Sequence, residues 1–332
     1  MEKFLITGIA GFIGSHIAEM LLREGNVVIG IDNLSGPYPQ SIYKYNLNLL
    51  NRHPHFKFIQ LDILNSLQVN EIFSKNNYSY VFHCAAKTNV RDSFINPRLY
   101  FETNVQGTKN ILEAIKRYQP KTRTVLFSSS SVYGKQDIPF FTETIQPNPI
   151  SPYGISKYEM EELGKQYHSR WNIPLIILRL FSVYGPRGRL DMAPFLTIKA
   201  AESRVPFVQF GNDINNRRDW TYIKDVVIGI KQIINLQPFN SLKIINIARG
   251  KSIGIGEFTN IAKKIIKKIL NEDLLIVNRP RNKNEMITTS ASISFAKKYL
   301  KFNPKVDFEL GLEIMVKDYL RKRNIYGFRK TK

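Results

Sequence analysis

The run Pro152-Tyr153-Gly154-Ile155-Ser156-Lys157 sets a phenol and an ammonium four residues apart. On a helix that spacing puts both side chains on one face, so both can point at one bound molecule. A cation beside a phenol favours its ionised form and lowers its pKa from the ordinary value of about 10. Tyr153 is thereby a candidate base near neutral pH. Tyr-x-x-x-Lys alone is a common surface pair. What gives it weight is a glycine pattern near the start of the chain, Thr7-Gly8-Ile9-Ala10-Gly11-Phe12-Ile13-Gly14.

The elements around that pattern decide what it means. Apolar runs alternate with helical patterns through the first half, the signature of a parallel sheet with crossover helices. Strands are expected at 3–7, 27–31, 56–60, 80–83, 124–128 and 175–180. Helices are expected at 13–24, closed by Gly25-Asn26, and at 97–118 and 152–171. The glycine loop therefore joins a strand to a helix. There glycine permits a tight turn and close backbone approach to a pyrophosphate at a helix N-terminus, with Phe12 and Ile13 in the same loop.

Asp32 follows the second strand at the interval of about 20 residues expected of a ribose-binding acid. Its carboxylate can accept from both hydroxyls of an adenosine ribose and would repel a 2′-phosphate, so NAD is expected over NADP. Asn33 belongs to the same site. Asp62-Ile63 and Ala85-Ala86 fall at the carboxyl ends of the third and fourth strands, where such sheets bind ligands. Asp62 can meet the adenine amine, and the two alanines are small enough to let a dinucleotide pass.

After Gly185 the rhythm loosens. Helices at 223–236, 257–269 and 308–323 appear singly among short strands, prolines and glycines. The reading is an α/β Rossmann-type doubly wound sheet over 1–184 and a smaller C-terminal α/β lobe over 185–332, with elements shared across the boundary. The 332 residues suffice for a substantial core. No apolar stretch approaches the roughly 20 residues of a bilayer span. The start, Met1-Glu2-Lys3, runs straight into a strand without a signal-peptide pattern. The single cysteine, Cys84, excludes a disulfide framework within the chain. A cytoplasmic protein is expected.

The formal charge of +21 is compatible with nucleic acid, an anionic surface or acidic small substrates as partner. Lys263, Lys264, Lys267 and Lys268 recur at helical spacing beside Ile261, Ile265, Ile266 and Leu270, which describes a solvated helix face. No basic stretch joins a recognisable nucleic-acid module. Neither nucleic acid, membrane insertion nor a metal is expected.

Several segments then occur in a set order: the glycine loop, His83-Cys84-Ala85-Ala86, Asn104-Val105-x-Gly107-Thr108, Ser128-Ser129-Ser130-Ser131-Val132-Tyr133-Gly134, Tyr153-x-x-x-Lys157 and Arg218-Asp219-Trp220-Thr221-Tyr222. As a set they resemble the extended short-chain dehydrogenase/reductases acting on nucleotide sugars, over nearly the whole chain. The resemblance implies tightly held NAD, with Asn104 among its binding residues, a small sugar-nucleotide lobe and a homodimer. Within that family the likeness is to the UDP-glucuronate 4-epimerases. Their pattern is visible in Val90-Arg91-x-Ser93 and in 181–193, where Gly188-Arg189-x-Asp191-Met192-Ala193 is the most discriminating piece. It implies that Arg189 anchors the sugar carboxylate, Ser182 contacts the sugar and Arg218 binds the pyrophosphate. Arg91, Ser130 and Ser131 also fall on the substrate side. Arg281 and Glu285 stand where nucleotide contacts are expected, within a segment that departs from the usual Gly-Asp/Glu pattern.

The chemistry so implied is 4-epimerisation through a transient 4-keto sugar. Tyr153 takes the proton of the 4-hydroxyl while hydride leaves C4; Ser129 bonds the same oxygen; Lys157 binds the nicotinamide ribose and depresses the phenol's pKa. The keto sugar turns over and takes hydride on its other face, with no net redox. A 4-keto uronate is a β-keto acid, and Arg189 can hold its carboxylate out of the alignment that releases carbon dioxide. Ser131 stands where dehydratase and decarboxylase relatives carry an acid, which argues against both. UDP-glucuronate to UDP-galacturonate is the expected reaction. A UDP-glucose or UDP-N-acetylglucosamine 4-epimerase is the alternative, and a non-catalytic NAD-binding regulatory protein the alternative of another class.

Overall fold

Seven short runs rich in Ile, Val, Leu and Phe become the strands of one sheet: β1 (Lys3–Thr7), β2 (Val27–Asp32), β3 (Phe56–Gln60), β4 (Tyr80–His83), β5 (Arg123–Ser129), β6 (Leu175–Leu180) and β7 (Lys243–Ile247). Their spatial order is β7-β6-β5-β4-β1-β2-β3, and every pairing is parallel. The computed structural model describes residues 1–136, 138, 140–211, 216–236, 241–280 and 288–327. The fold is a doubly wound α/β sheet of the Rossmann type. Strand order reverses between β1 and β4, so a crevice opens at the carboxyl ends there, the usual ligand site of such sheets.

The six expected strands are present, with ends shifted by at most one residue. The seventh was not foreseen. β7 comes from beyond residue 185 and pairs along β6 from Lys243↔Ile176 to Ile247↔Leu180, an element shared across the boundary. On one face of the sheet Phe4, Tyr80 and Phe82 stack with centroids 5.5–6.0 Å apart and planes within 12°. Each such ring, wholly buried, contributes about 1.5–3 kcal/mol of transfer free energy.

Crossover helices cover both faces. α1 (Phe12–Arg23) buries Ile17, Ala18 and Leu21 and ends at Gly25, φ +78°, whose N–H bonds Leu22 O. α2 (Gln40–Leu50), α3 (Ser66–Ser74), α4 (Val90–Ile95), α5 (Pro97–Phe101) and α6 (Gly107–Tyr118) follow in order. The uninterrupted helix expected at 97–118 is corrected: a π-turn, Glu102–Gln106, separates α5 from α6. The residue it buries is Asn104, and no proline marks the break. α7 (Pro152–Trp171) then crosses back to β6.

The C-terminal lobe contains α8 (Ala193–Glu202), α9 (Ile223–Ile234), α10 (Ile255–Leu270), α11 (Ser294–Leu300) and α12 (Phe308–Arg321), with two-stranded ribbons between them. Trp220, Phe258 and Phe308 form its aromatic centre, with ring centroids 5.3–5.7 Å apart. The lysine-rich face of α10 lies outward, where Lys264 pairs with Glu309 and Lys268 with Glu313.

Candidate active site

The β1–α1 turn is as tight as backbone allows. Gly8 has φ +68°, and a Cβ on it would lie 2.8 Å from Ala85 N; a Cβ on Gly14 would lie 2.3 Å from Gly8 O. No side chain caps α1 and its first turn holds no acid, so its positive end is open to an anion. Gly8, Gly11, Phe12, Ile13 and Gly14 line a groove together with Ile63, Ala85 and Ala86. Asp32 and Asn33 line it at the end of β2. Asp32 Oδ2 accepts from Ala10 N at 3.0 Å and Oδ1 from Leu34 N at 2.8 Å. Burial pushes this carboxyl's pKa up, and the backbone N–H groups oppose the rise. A cradle that a Cβ would fill, an open helix end and a carboxylate fixed at the next strand fit a dinucleotide.

Two residues expected to touch that dinucleotide are hydrogen-bonded to protein neighbours. Asp62 accepts from Asn33 Nδ2 at 2.7 Å and from Leu64 N at 2.9 Å, so its carboxylate steadies Asn33. Asn104 is buried and its amide is fully used: Lys87 N donates to its Oδ1 at 2.8 Å, and its Nδ2 donates to Lys87 O and Ser156 Oγ at 3.0 and 2.9 Å. It ties the segment after β4 to α7. Thr108 Oγ1 donates to Asn104 O, and His83 bridges Thr108 and Thr7 at 2.9 and 2.8 Å. Burial lowers the His83 pKa to about 3, so the bridge is neutral at physiological pH.

At the groove's end, Ser151 Oγ accepts from Gly154 N and starts α7 with Pro152 in its first turn. Tyr153 and Lys157 share its buried face as the spacing requires. Ser129, at the end of β5, donates to Ser131 Oγ at 3.2 Å and lies near enough to the phenol to act on its pKa; Tyr100 meets the Tyr153 ring edge-on with centroids 6.2 Å apart. One expectation is corrected here. Burial raises the Tyr153 pKa; the Ser129 hydroxyl and the Arg189 charge oppose the rise, and Lys157 is not among the groups that do. The lysine Nζ donates to Phe127 O at 2.7 Å. Burial in turn lowers the Lys157 pKa to about 8. One turn further on, Glu161 accepts from Arg179 at 2.7 and 3.0 Å and from Ser128 Oγ at 2.6 Å, pinning α7 to β5 and β6.

A second cavity opens beside the first, lined by Ser130, Ser131, Ser182, Arg91, Arg218 and Arg189. The Arg91 guanidinium lies 4.5 Å from the Phe210 ring centre, a cation–π contact. Arg218 Nη1 donates to Asn216 Oδ1 at 3.1 Å. Arg189 Nε and Nη2 donate to the two oxygens of Asp191 at 3.0 and 2.6 Å, and Asn89 Nδ2 donates to Asp191 Oδ2 at 2.8 Å. Arg281 and Glu285 lie outside the described residues. Sequence reasoning missed Asn89, Asp191, Lys87 and the Glu161–Arg179 pair. Only Asp191 left a usable trace, as the acid two residues after an arginine in a loop.

Arg189 lines the groove as well as the second cavity. The two cavities therefore meet at Arg189, whose charge reaches the Tyr153 phenol, and this two-part architecture is that of the extended short-chain dehydrogenase/reductases. The chain belongs to the family described as GDP-mannose 4,6 dehydratase, whose model matches residues 5–315. It is 38% identical over 314 residues to the UDP-glucuronate 4-epimerase of Thermodesulfobacterium geofontis, a match spanning 94% of each chain. Among solved structures it resembles the UDP-glucuronic acid 4-epimerase of Bacillus cereus in complex with UDP-glucuronic acid and NAD. That likeness has a TM-score of 0.88 at 34% identity, covering 96% of this chain and 99% of the other. The UDP-glucose 4-epimerase of Thermotoga maritima with UDP-glucose gives 0.85 at 30% identity, covering 97% and 99%.

Proposed function

We propose that this protein is an NAD-dependent isomerase that inverts C4 of a UDP-sugar, converting UDP-glucuronate to UDP-galacturonate. The observation that carries the reading is Arg189, a guanidinium at the junction of groove and cavity, near enough to Tyr153 to act on its phenol. A cation placed there suits a sugar whose C5 bears a carboxylate. The relatives named above, one of them bound to UDP-glucuronic acid and NAD, support the same choice.

In this reading the groove from Gly8 to Ala86 holds the dinucleotide, with Asp32 on the adenosine ribose. Bound NAD supplies a reversible hydride acceptor. Tyr153 accepts the proton of the sugar 4-hydroxyl and returns it after the ring has turned. Ser129 stands beside the phenol, and in the reaction it bonds the sugar oxygen, steadying the charge that develops there. Both groups are buried, so that oxygen is shielded from water. Lys157 places a positive charge behind them below about pH 8. Ser130, Ser131 and Ser182 offer small hydroxyls along the cavity wall and leave room for the ring to rotate. Arg91 and Arg218 add positive charge that suits the diphosphate, and Arg189 holds the uronate carboxylate.

The pairing of Arg189 with Asp191 favours a second reading, a neutral-sugar 4-epimerase in which that arginine never meets the substrate. A homodimer is supported by Phe94, Ile95, Leu99 and Ile155, apolar side chains exposed on α4, α5 and α7. Among the described residues no helix is long and apolar enough to cross a membrane; a cytoplasmic location is our proposal.

A panel of UDP-sugars, assayed with purified protein and no added reductant, tests the reading. UDP-galacturonate should form from UDP-glucuronate while the protein's NAD shows no net reduction. Exchange of UDP-glucose with UDP-galactose alone would establish the neutral-sugar enzyme. No exchange in any sugar would revive the regulatory protein.

A further inference from the structure

We propose that Asp191 is a built-in stand-in for the sugar carboxylate: it occupies the Arg189 fork until an acidic sugar displaces it, and so sets how tightly the site holds a uronate. The inference rests on the uronate reading of the same site. Arg189 Nε and Nη2 meet Asp191 Oδ1 and Oδ2 at 3.0 and 2.6 Å, the side-on, two-bond arrangement with which a guanidinium also takes a ligand carboxylate. Two carboxylates cannot share that edge, because like charges at such a distance repel.

The surroundings suit an exchange. The Arg189 side chain is 21% exposed and that of Asp191 32%, so the arginine sits inside the cavity wall while the acid keeps access to water. Without a partner, a guanidinium that deep would be an uncompensated charge, the costly arrangement. Asp191 removes that cost before a ligand arrives. An incoming uronate then trades carboxylate for carboxylate, and the charge-assisted bonds of Arg189 are conserved. Asn89 Nδ2 already donates to Asp191 Oδ2 at 2.8 Å and gives the displaced acid a polar partner. A neutral sugar has no group to trade, so the Arg189–Asp191 pair stays closed beside it.

The exchange also tempers affinity. A uronate that must displace Asp191 gains less than one meeting a bare guanidinium. Substrate and product both carry the carboxylate, so this loosening serves release as well as entry.

The test uses NAD-loaded Tyr153→Phe protein, in which turnover is blocked, titrated calorimetrically with UDP-glucuronate and UDP-glucose. Asp191→Asn and Asp191→Ala, each added to that parent, should tighten UDP-glucuronate about tenfold relative to UDP-glucose, or about 1.4 kcal/mol. Asp191→Glu, which keeps a carboxylate, should return the ratio toward the parent's. Unchanged or weaker relative binding of UDP-glucuronate in both Asn and Ala variants would overturn the proposal and leave Asp191 as a residue that merely orients Arg189. Failure of the underlying reading has a different signature: the parent itself would bind UDP-glucose and ignore UDP-glucuronate, and the inference would fall with it.

Discussion

The dinucleotide groove and the sugar-facing cavity meet at Arg189 and Tyr153, yet they are made of different material. The glycine end of the groove is mostly backbone. Its glycines, alanines and α1 N-terminus close against one another at distances a single Cβ would violate, and Asp32 brings a carboxylate to it at the end of β2. The cavity is mostly side chain. Arg91, Arg189 and Arg218 come from a six-residue helix, a loop and a two-residue strand, and each is held by a neighbour from its own segment or another. A backbone site fixes what it binds by shape. A side-chain site fixes it by charge, and charge can be changed one residue at a time. Substitutions in the groove should therefore alter cofactor choice, and substitutions in the cavity should alter sugar choice.

The largest effect is expected where the two regions join. Tyr153→Phe removes the proton acceptor and keeps most of the ring packing against Tyr100. Turnover should fall by at least about 10²-fold, the scale of general acid–base catalysis, while NAD remains bound. Near-normal turnover would show that the proton leaves by another route and that the junction is misplaced.

Arg189→Met comes next, on the cavity side alone. Charged hydrogen bonds contribute roughly 1.5–3 kcal/mol, so UDP-glucuronate turnover should drop about 10- to 100-fold, with little change for UDP-glucose. Some UDP-pentose should also appear if the anchor restrains decarboxylation. Chromatography of the products on both sugars measures this. Equal losses would assign Arg189 to the scaffold or the diphosphate and favour the neutral-sugar reading.

Asp32→Asn is the matching change in the groove. It keeps an acceptor for Ala10 N or Leu34 N and removes the charge that faces the ribose. NAD affinity should weaken about tenfold, on the scale of one charge-assisted hydrogen bond, and NADP should gain on NAD. The ratio of uronate to neutral-sugar turnover should stay put. A shift in that ratio would mean that the two regions are not separable.

The same contrast decides how much could be read beforehand. Gly8, Gly11, Gly14, Asp32 and Ala85 sit at the ends of strands that follow one another along the chain, so their spacing in sequence maps onto distance across the sheet. β7 escaped because its five residues lie beyond the expected boundary and return to the far edge of the sheet. The π-turn escaped because its hydrogen bonding differs from that of the helices on either side while no proline marks it. Which way the short polar side chains of Asn104 and Asp62 turn depends on partners such as Ser156 and Asn33, which spacing does not reveal. The partners of Arg189 and Arg179 are invisible for the same reason.

Lys157 carries an effect on stability and not on specificity, and it sharpens the contrast within one helix. Its spacing from Tyr153 was legible; the turn of its ammonium onto Phe127 O was not. Burial lowers its pKa from 10.5 to about 8. Below about pH 8 folded and unfolded chains both hold the proton, and the full cost of burying the charge is present. Between about 8 and 10.5 the folded chain loses the proton first, so the unfolded chain binds more protons and stability from this group rises with pH. Above 10.5 both are neutral and the gain is complete. Lys157→Met has no such group, so it should exceed wild type in stability at pH 7.5 by a margin that shrinks by pH 10. The change in margin should be on the order of 1–3 kcal/mol, given about 1.4 kcal/mol per pKa unit. Urea unfolding of both proteins at the two pH values measures it, and the comparison cancels the many tyrosines that titrate alike in each. A margin that does not move would mean that the Phe127 carbonyl compensates the buried ammonium in full, and that α7 holds a charge at the junction without penalty.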